Sequence, residues 1–122
     1  MVGYKVCWRV GRRFISYAAC YGECEYAIGE TTTPRKDCGP LCLFDALGDL
    51  CRFLRMDTLA RRNHLAIFDV EYEPDTENTM IWDDTPGSEV GLSSLPKGTQ
   101  LAKSVTLIRE LTKKEILDVV QV

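Results

Sequence analysis

The side chains with most chemistry to offer are six cysteines, one histidine, a few clustered arginines and a concentrated run of acids. Cys7, Cys20, Cys24, Cys38, Cys42 and Cys51 include two C-x-x-x-C spacings, Cys20/Cys24 and Cys38/Cys42. Four thiolates in that order would suit a tetrahedral zinc ion. The usual zinc knuckle is C-x-x-C, however, and Cys42 falls inside an apolar run. Plain reduced thiols are therefore the favoured reading, with zinc or disulfides left as alternatives for Cys20, Cys24, Cys38 and Cys42. No metal is assigned.

His64 stands where a basic loop enters an apolar segment, and no G-x-S-x-G element accompanies it. A Ser/His/Asp hydrolase is not expected on that ground, and a cysteine nucleophile would have to borrow the same histidine, which nothing in the spacing pairs with it. The chain also contains no Walker loop, G-x-G-x-x-G, H-E-x-x-H or EF-hand pattern. Adjacent Asp83 and Asp84 would suit a hard cation, but two acids alone specify nothing.

Charge is distributed unevenly behind a net value of −3. Between Arg62 and Lys97 there is no Lys or Arg, while Asp69, Glu71, Glu73, Asp75, Glu77, Asp83, Asp84 and Glu89 all fall there. Most of the basic residues precede that stretch, including Arg9, Arg12, Arg13, Arg61 and Arg62. No basic stripe supports direct nucleic-acid binding. An acidic surface, in contrast, steers toward a partner with a basic one. Asp75, Glu77, Asp83, Asp84 and Glu89 are the candidate binding residues.

The elements that must hold these groups are legible from periodicity. Cys38 to Phe53 reads as a strand turning directly into a helix. Leu41–Phe44 is a short apolar run, Asp45 has the chemistry of an N-cap, and Leu47, Leu50, Cys51 and Leu54 fall on one helical face. Tyr4, Val6, Trp8 and Val10 alternate with Lys5, Cys7 and Arg9, and Phe14–Ala18 returns as the second arm of a hairpin. Glu25–Ile28 is a brief strand and Glu30–Pro40 a surface loop. Ala66, Phe68, Val70 and Tyr72 would face the core, with Asp69 and Glu71 outward. Thr79–Trp82 is a shorter strand, and Asp83–Gly98 is a long irregular stretch in which Glu89–Leu92 pairs briefly. Val105–Arg109 is the last strand. Thr112 and Glu115 have capping-box spacing, Leu111 and Ile116 form its hydrophobic staple, and Val119 and Val120 are the expected docking residues of a terminal helix.

These elements describe a single α+β domain spanning residues 1–122: a mostly antiparallel twisted sheet, one central amphipathic helix and a short C-terminal helix. The start lacks the apolar core of a secretory signal, so a soluble cytoplasmic protein without a membrane role is expected.

In order, the segments Tyr4–Val10, E-Y-A-I-G-E, G-P-L-C-L-F-D-A-L-G-D-L-C-R-F and S-E-V-G-L-S-S-L-P-K-G-T-Q-L carry a loose resemblance. The chain is similar to small uncharacterised proteins of phage and prophage type, and its order of elements distantly resembles the ADP-ribosyltransferase fold. That resemblance implies NAD as cofactor, with Arg9 holding it from the first strand and Glu89 stabilising the oxocarbenium-like ribose. Pro96, Gly98 and Thr99 would form the turn that follows, and Leu43-Phe44 occupies the place of the second motif. The residues themselves, which lack a full catalytic set, point first to a non-enzymatic binding or regulatory module. It would need no cofactor and would act on a protein partner through the acidic segment. An NAD-using transferase is the alternative.

Overall fold

The computed structural model describes residues 1–16, 24–34, 40–54, 64–78, 80–82, 89–91, 93 and 95–120, with backbone alone at 80–82, 89, 90 and 120. In chain order the elements are β1 (Val2–Val10), β2 (Arg13–Ser16), β3 (Glu25–Tyr26), β4 (Thr31–Thr32), β5 (Leu41–Phe44), α1 (Leu47–Leu54), β6 (Leu65–Pro74), β7 (Met80–Trp82), β8 (Glu89–Gly91), β9 (Thr99–Glu110) and α2 (Lys113–Val120).

The α+β class and the mostly antiparallel pairing are as expected, but the twisted sheet closes on itself. Strand β6 runs between β1 and β9, antiparallel to both. The far edges of β1 and β9 are both met by β5, through Tyr4↔Phe44 on one side and Leu41–Phe44 against Ala102–Thr99 on the other. The ring β1–β6–β9–β5 is thereby complete. An all-antiparallel ring closes only with an even number of strands, a condition this one meets. Register shifts in the β6–β9 ladder at Asp69/Val70 and Glu73/Pro74 bend the sheet, because an extra residue on one strand raises the local twist. Closure was hidden from the sequence because it rests on a four-residue strand pairing with two partners distant along the chain.

Where β5 ends, other short strands take over the same edges. Cys7–Val10 of β1 pair with β2, which pairs in turn with β3. Thr31 and Thr32 pair with Thr106 and Val105 of β9, so the expected Glu30–Pro40 loop begins with a strand. That strand is only two residues long, too short for any alternation to announce it.

The barrel and its helices divide the core in two. Inside, Cys7, Tyr26, Leu43, Phe68, Val70 and Leu107 pack together, with Phe14 edge-on to Phe68 at 4.9 Å between ring centroids. Outside, Val6, Phe44, Ile67 and Leu111 meet Leu50 and Leu54 of α1, with Ile116 of α2 against them. Strand β6 shows why the pattern of its sequence changes midway. Leu65 to Phe68 is an uninterrupted apolar run because helices cover its outer face. From Asp69 onward the strand alternates, because that face meets water.

The face of α1 is as the spacing requires, with Leu50, Cys51 and Leu54 buried. Asp45 is not its cap. The backbone N–H of Asp45 donates to Gly98 O at 3.2 Å, and its carboxylate accepts from Gln100 Nε2 at 3.4 Å. The residue is held to β9 as a continuation of the β5 pairing, and the helix begins at Leu47. Gly98, at φ +87°, lies against the first turn of α1, where a side chain would run into Asp49.

The capping box of α2 forms as read. Thr112 N–H donates to Glu115 Oε1 at 3.0 Å and Glu115 N–H to Thr112 Oγ1 at 3.2 Å. Arg109 adds two bonds of 2.8 Å to the same carboxylate. Leu111 and Ile116 do the docking, whereas Val119 is exposed and the side chain of Val120 lies outside the described residues. The expectation for Val119 ignored that the staple already fixes which face of so short a helix turns inward.

Gly3 is the residue that lets β1 approach β5. A Cβ there would stand 2.8 Å from the Phe44 carbonyl oxygen and would meet the Leu43 side chain and the Tyr72 ring. Gly3→Ala is expected to cost about 1–3 kcal/mol, since backbone must shift to admit it. Gly48→Ala, in α1 where space is open, is expected to gain up to about 1 kcal/mol. Chemical denaturation of the two variants checks both signs.

The Glu115 carboxyl is held down to about 2, first by the Arg109 hydrogen bonds and then by Thr112. A depressed carboxylate contributes stability that is present above its unfolded value of 4.5 and is lost as pH falls toward 2. The amide resonances of α2 are expected to lose helical shifts across that window. Glu115→Gln should lack the transition.

Candidate functional site

Arg9 lies near the end of β1, and its position is set by the hairpin with β2. Its guanidinium pairs with Glu110 Oε2 at 2.5 Å and lies over the Phe14 ring, 5.2 Å from the centroid. The cation that a nucleotide would need is thus already matched by a carboxylate. Glu89 opens β8, opposite Trp82 of β7, in a two-stranded sheet of its own. Among the described residues no strand pairing joins that sheet to the barrel. Leu43 faces the barrel interior and Phe44 the helix layer, so both are core. The Pro96–Thr99 turn does form, with Thr99 N–H and Oγ1–H both donating to Pro96 O at 3.1 and 2.6 Å.

The acids divide by what they already hold. Asp75 Oδ1 accepts from the backbone N–H groups of Glu77 and Asn78 at 3.0 and 2.9 Å, and Oδ2 accepts from Asn78 Nδ2 at 2.7 Å. These bonds, those from Asn78 foremost, hold its carboxyl below the usual range. Asp75 therefore builds the turn after β6. Glu77 is exposed and stands 3.8 Å from Lys103 Nζ. Asp69 is matched by Arg109 at 3.1 Å. Asp83 and Asp84 lie outside the described residues.

Two acids the residue-by-residue selection passed over remain uncompensated. Glu71 and Glu73 are exposed and two apart on β6, so both carboxylates leave the same outer face. Among the described residues neither has an ion-pair partner. Glu71 sits in one cross-strand row with Val2 of β1, Thr106 of β9 and Thr31 of β4, and the last two join hydroxyls at 2.8 Å. Ser104 stands opposite Glu73. The face is therefore a strip of carboxylates edged by hydroxyls. Its signal in the sequence was the E-x-E alternation, read only as strand polarity.

The thiols among the described residues are buried or half-buried. Cys7 and Cys51 are buried, and desolvation pushes the Cys7 thiol up to about 11 against the pull of Lys5 and raises that of Cys51. Cys24 is buried and Cys42 half-buried, while Cys20 and Cys38 lie outside the described residues. Among the described residues no three His, Cys, Asp or Glu side chains converge on a possible metal position. His64 is exposed at the start of β6, its carbonyl accepting from Arg9 N–H. No helix among the described residues is long and apolar enough to cross a membrane.

Lys5 is the residue that strand alternation misplaced. It is only 5% exposed, inside the barrel, and is the one buried charge among the described residues. Its Nζ donates to Cys42 O at 2.5 Å and lies 5.2 Å from the centre of the Tyr26 ring. Burial pulls its pKa down, and the electrostatic influence of Tyr26, then of Cys42 and Cys7, outweighs burial and sets the net direction upward. Burial likewise raises the Tyr26 phenol, with Lys5 opposing. The available clue was parity: Lys5 shares its side of β1 with Cys7, a residue type that prefers the interior.

No family model, curated protein or solved structure matches the chain.

Asp75→Ala is expected to loosen the 75–78 turn and lower stability by about 0.5–1 kcal/mol, at the low end for hydrogen bonds because the turn meets water. Asp75→Asn, which keeps an acceptor for the same N–H groups, should recover most of the loss. Thermal unfolding of the pair checks whether this acid is structural.

Proposed function

We propose that the protein is a small non-enzymatic binding or regulatory module that docks on a basic surface of a protein partner. The observation that carries this reading is the outer face of β6, where exposed Glu71 and Glu73 stand uncompensated beside the hydroxyls of Ser104 and Thr106. Neighbouring acids in the sequence, Glu77, Asp83, Asp84 and Glu89, extend the same sign of charge. The barrel interior is filled by aromatic and aliphatic side chains, so recognition falls to the outside. A carboxylate strip of this kind accelerates encounter with a cationic partner and makes affinity sensitive to salt within a Debye length of about 10 Å at 0.1 M. If the partner acts on nucleic acid, the strip would compete for the groove that holds phosphates. A domain of mobile-element origin acting on a host protein would fit this mode.

The test is capture of a partner from the source cell, followed by affinity measurement across a salt series. Glu71→Lys with Glu73→Lys should weaken binding at least tenfold and flatten its salt dependence, while unfolding stays within about 0.5 kcal/mol because both side chains are exposed. The triple change Asp83→Ala, Asp84→Ala, Glu89→Ala should give a smaller loss in the same direction. Unchanged affinity in both variants would sink the proposal. An NAD titration is expected to show no saturable binding. Binding that disappears in Arg9→Ala would replace this reading with the transferase one.

A further inference from the structure

The protein's own helices cover the outer face of β6 as far as Ile67, and from Asp69 to Glu73 that face is open. The open part is not acidic throughout. At its two register shifts β9 inserts an extra residue, Ile108 at the first and Lys103 at the second. A bulge re-aims the side chain it inserts, and both of these are exposed. Lys103 is answered by Glu77 at 3.8 Å, whereas Ile108 is left 47% exposed beside Arg109. Across the strip, Val2 of β1 stands opposite Glu71 and is 66% exposed. Helix α2 borders the same area, because its Glu115 holds Arg109. Val119, one turn further along the same side of α2, is 37% exposed. Arg109 is shared by Asp69 and Glu115, so its row keeps a net negative charge. Carboxylates without a cation thus lie within a border of three apolar side chains.

We propose that this open half of the face docks a cationic amphipathic helix of a partner protein, laid beside α2 as a further member of the helix layer. An extended segment finds no ladder to join here. Strand β6 is paired on both edges, and β9 has β6 on one edge and β5 or β4 on the other. From Asp69 to Glu73 the face is about 14 Å long, the length of about nine helical residues. Glu71 and Glu73 are separated by about 7 Å along the strand, close to the roughly 6 Å rise between helix residues four apart. Lys or Arg at i and i+4 would therefore meet the two carboxylates, while apolar side chains on the flank of the same helix meet Ile108 and Val119. A second copy of this chain is a poor occupant through the same face, since two such strips repel. The dock presupposes the acidic-face reading above and adds the form of the partner.

The experiment titrates the whole chain with two synthetic peptides of identical Lys, Leu and Ala composition, each about five helical turns long. One places its lysines on one helical face and its leucines on the other; its isomer scatters both all round. Calorimetry is expected to give saturable binding of the segregated peptide, about tenfold tighter than that of the isomer. Ile108→Ser and Val119→Ser, both at exposed positions, should each reduce that preference while leaving affinity for the isomer unchanged. Glu71→Gln with Glu73→Gln should weaken both peptides alike. Equal affinity for the two peptides, or a preference that neither serine variant alters, overturns the helix dock and leaves the acidic-face reading standing. Binding of both peptides that the double glutamine variant does not weaken removes that reading as well. Absence of any binding, or self-association of the chain that Ile108→Ser abolishes, also overturns the dock.

Discussion

The contact on which the rest depends is the one between β1 and β5, where Gly3 passes the Leu43 side chain and the Phe44 carbonyl. Only β5 joins the free edges of β1 and β9 at that end, and it does so with four residues. Without it the sheet would carry two unpaired edges, the interior would open, and Lys5 would lose its Cys42 carbonyl. The helix layer depends on it too. Phe44 contributes to the outer core, and the chain passes from β5 almost directly into α1, so the same short strand that closes the ring also delivers the helix to its docking face. Backbone closeness at Gly3 thus fixes both layers.

Local signals were legible wherever one residue's neighbours along the chain are also its neighbours in space. The capping box at Thr112 and Glu115, the apolar stripe of α1 and the inward set on β6 all belong to this kind, and each forms as read. What escaped depends on contacts across the fold. Asp45 has cap chemistry, yet β9 claims its backbone and side chain before the helix begins. Lys5 has a solvent-facing composition, yet its strand is covered on both sides. Ring closure escaped for the same reason, since no periodicity encodes which distant strand will meet an edge.

For the candidate site, charge was legible and placement was not. The acidic stretch is plain in the sequence, but its members do different work once folded. Asp75 is consumed by a turn, Asp69 is answered by Arg109, and among the described residues Glu71 and Glu73 are carboxylates without an ion-pair partner. Arg9 differs from these acids: a residue picked out for a cofactor forms an ion pair with Glu110. Counting charges along a chain locates a field, whereas only the pairing of strands shows which charges remain to produce it.

Strand β6 is half interior and half surface on the same outer face, helix-covered up to Ile67 and solvent-covered from Asp69 on. One consequence is evolutionary. Substitutions at Leu65 or Ile67 disturb packing, but positions 71 and 73 can be rewritten with little effect on the fold that presents them. A lineage under pressure from a changing partner could therefore explore new recognition surfaces on an unchanged scaffold, with the boundary between heritable constraint and freedom drawn within a single strand.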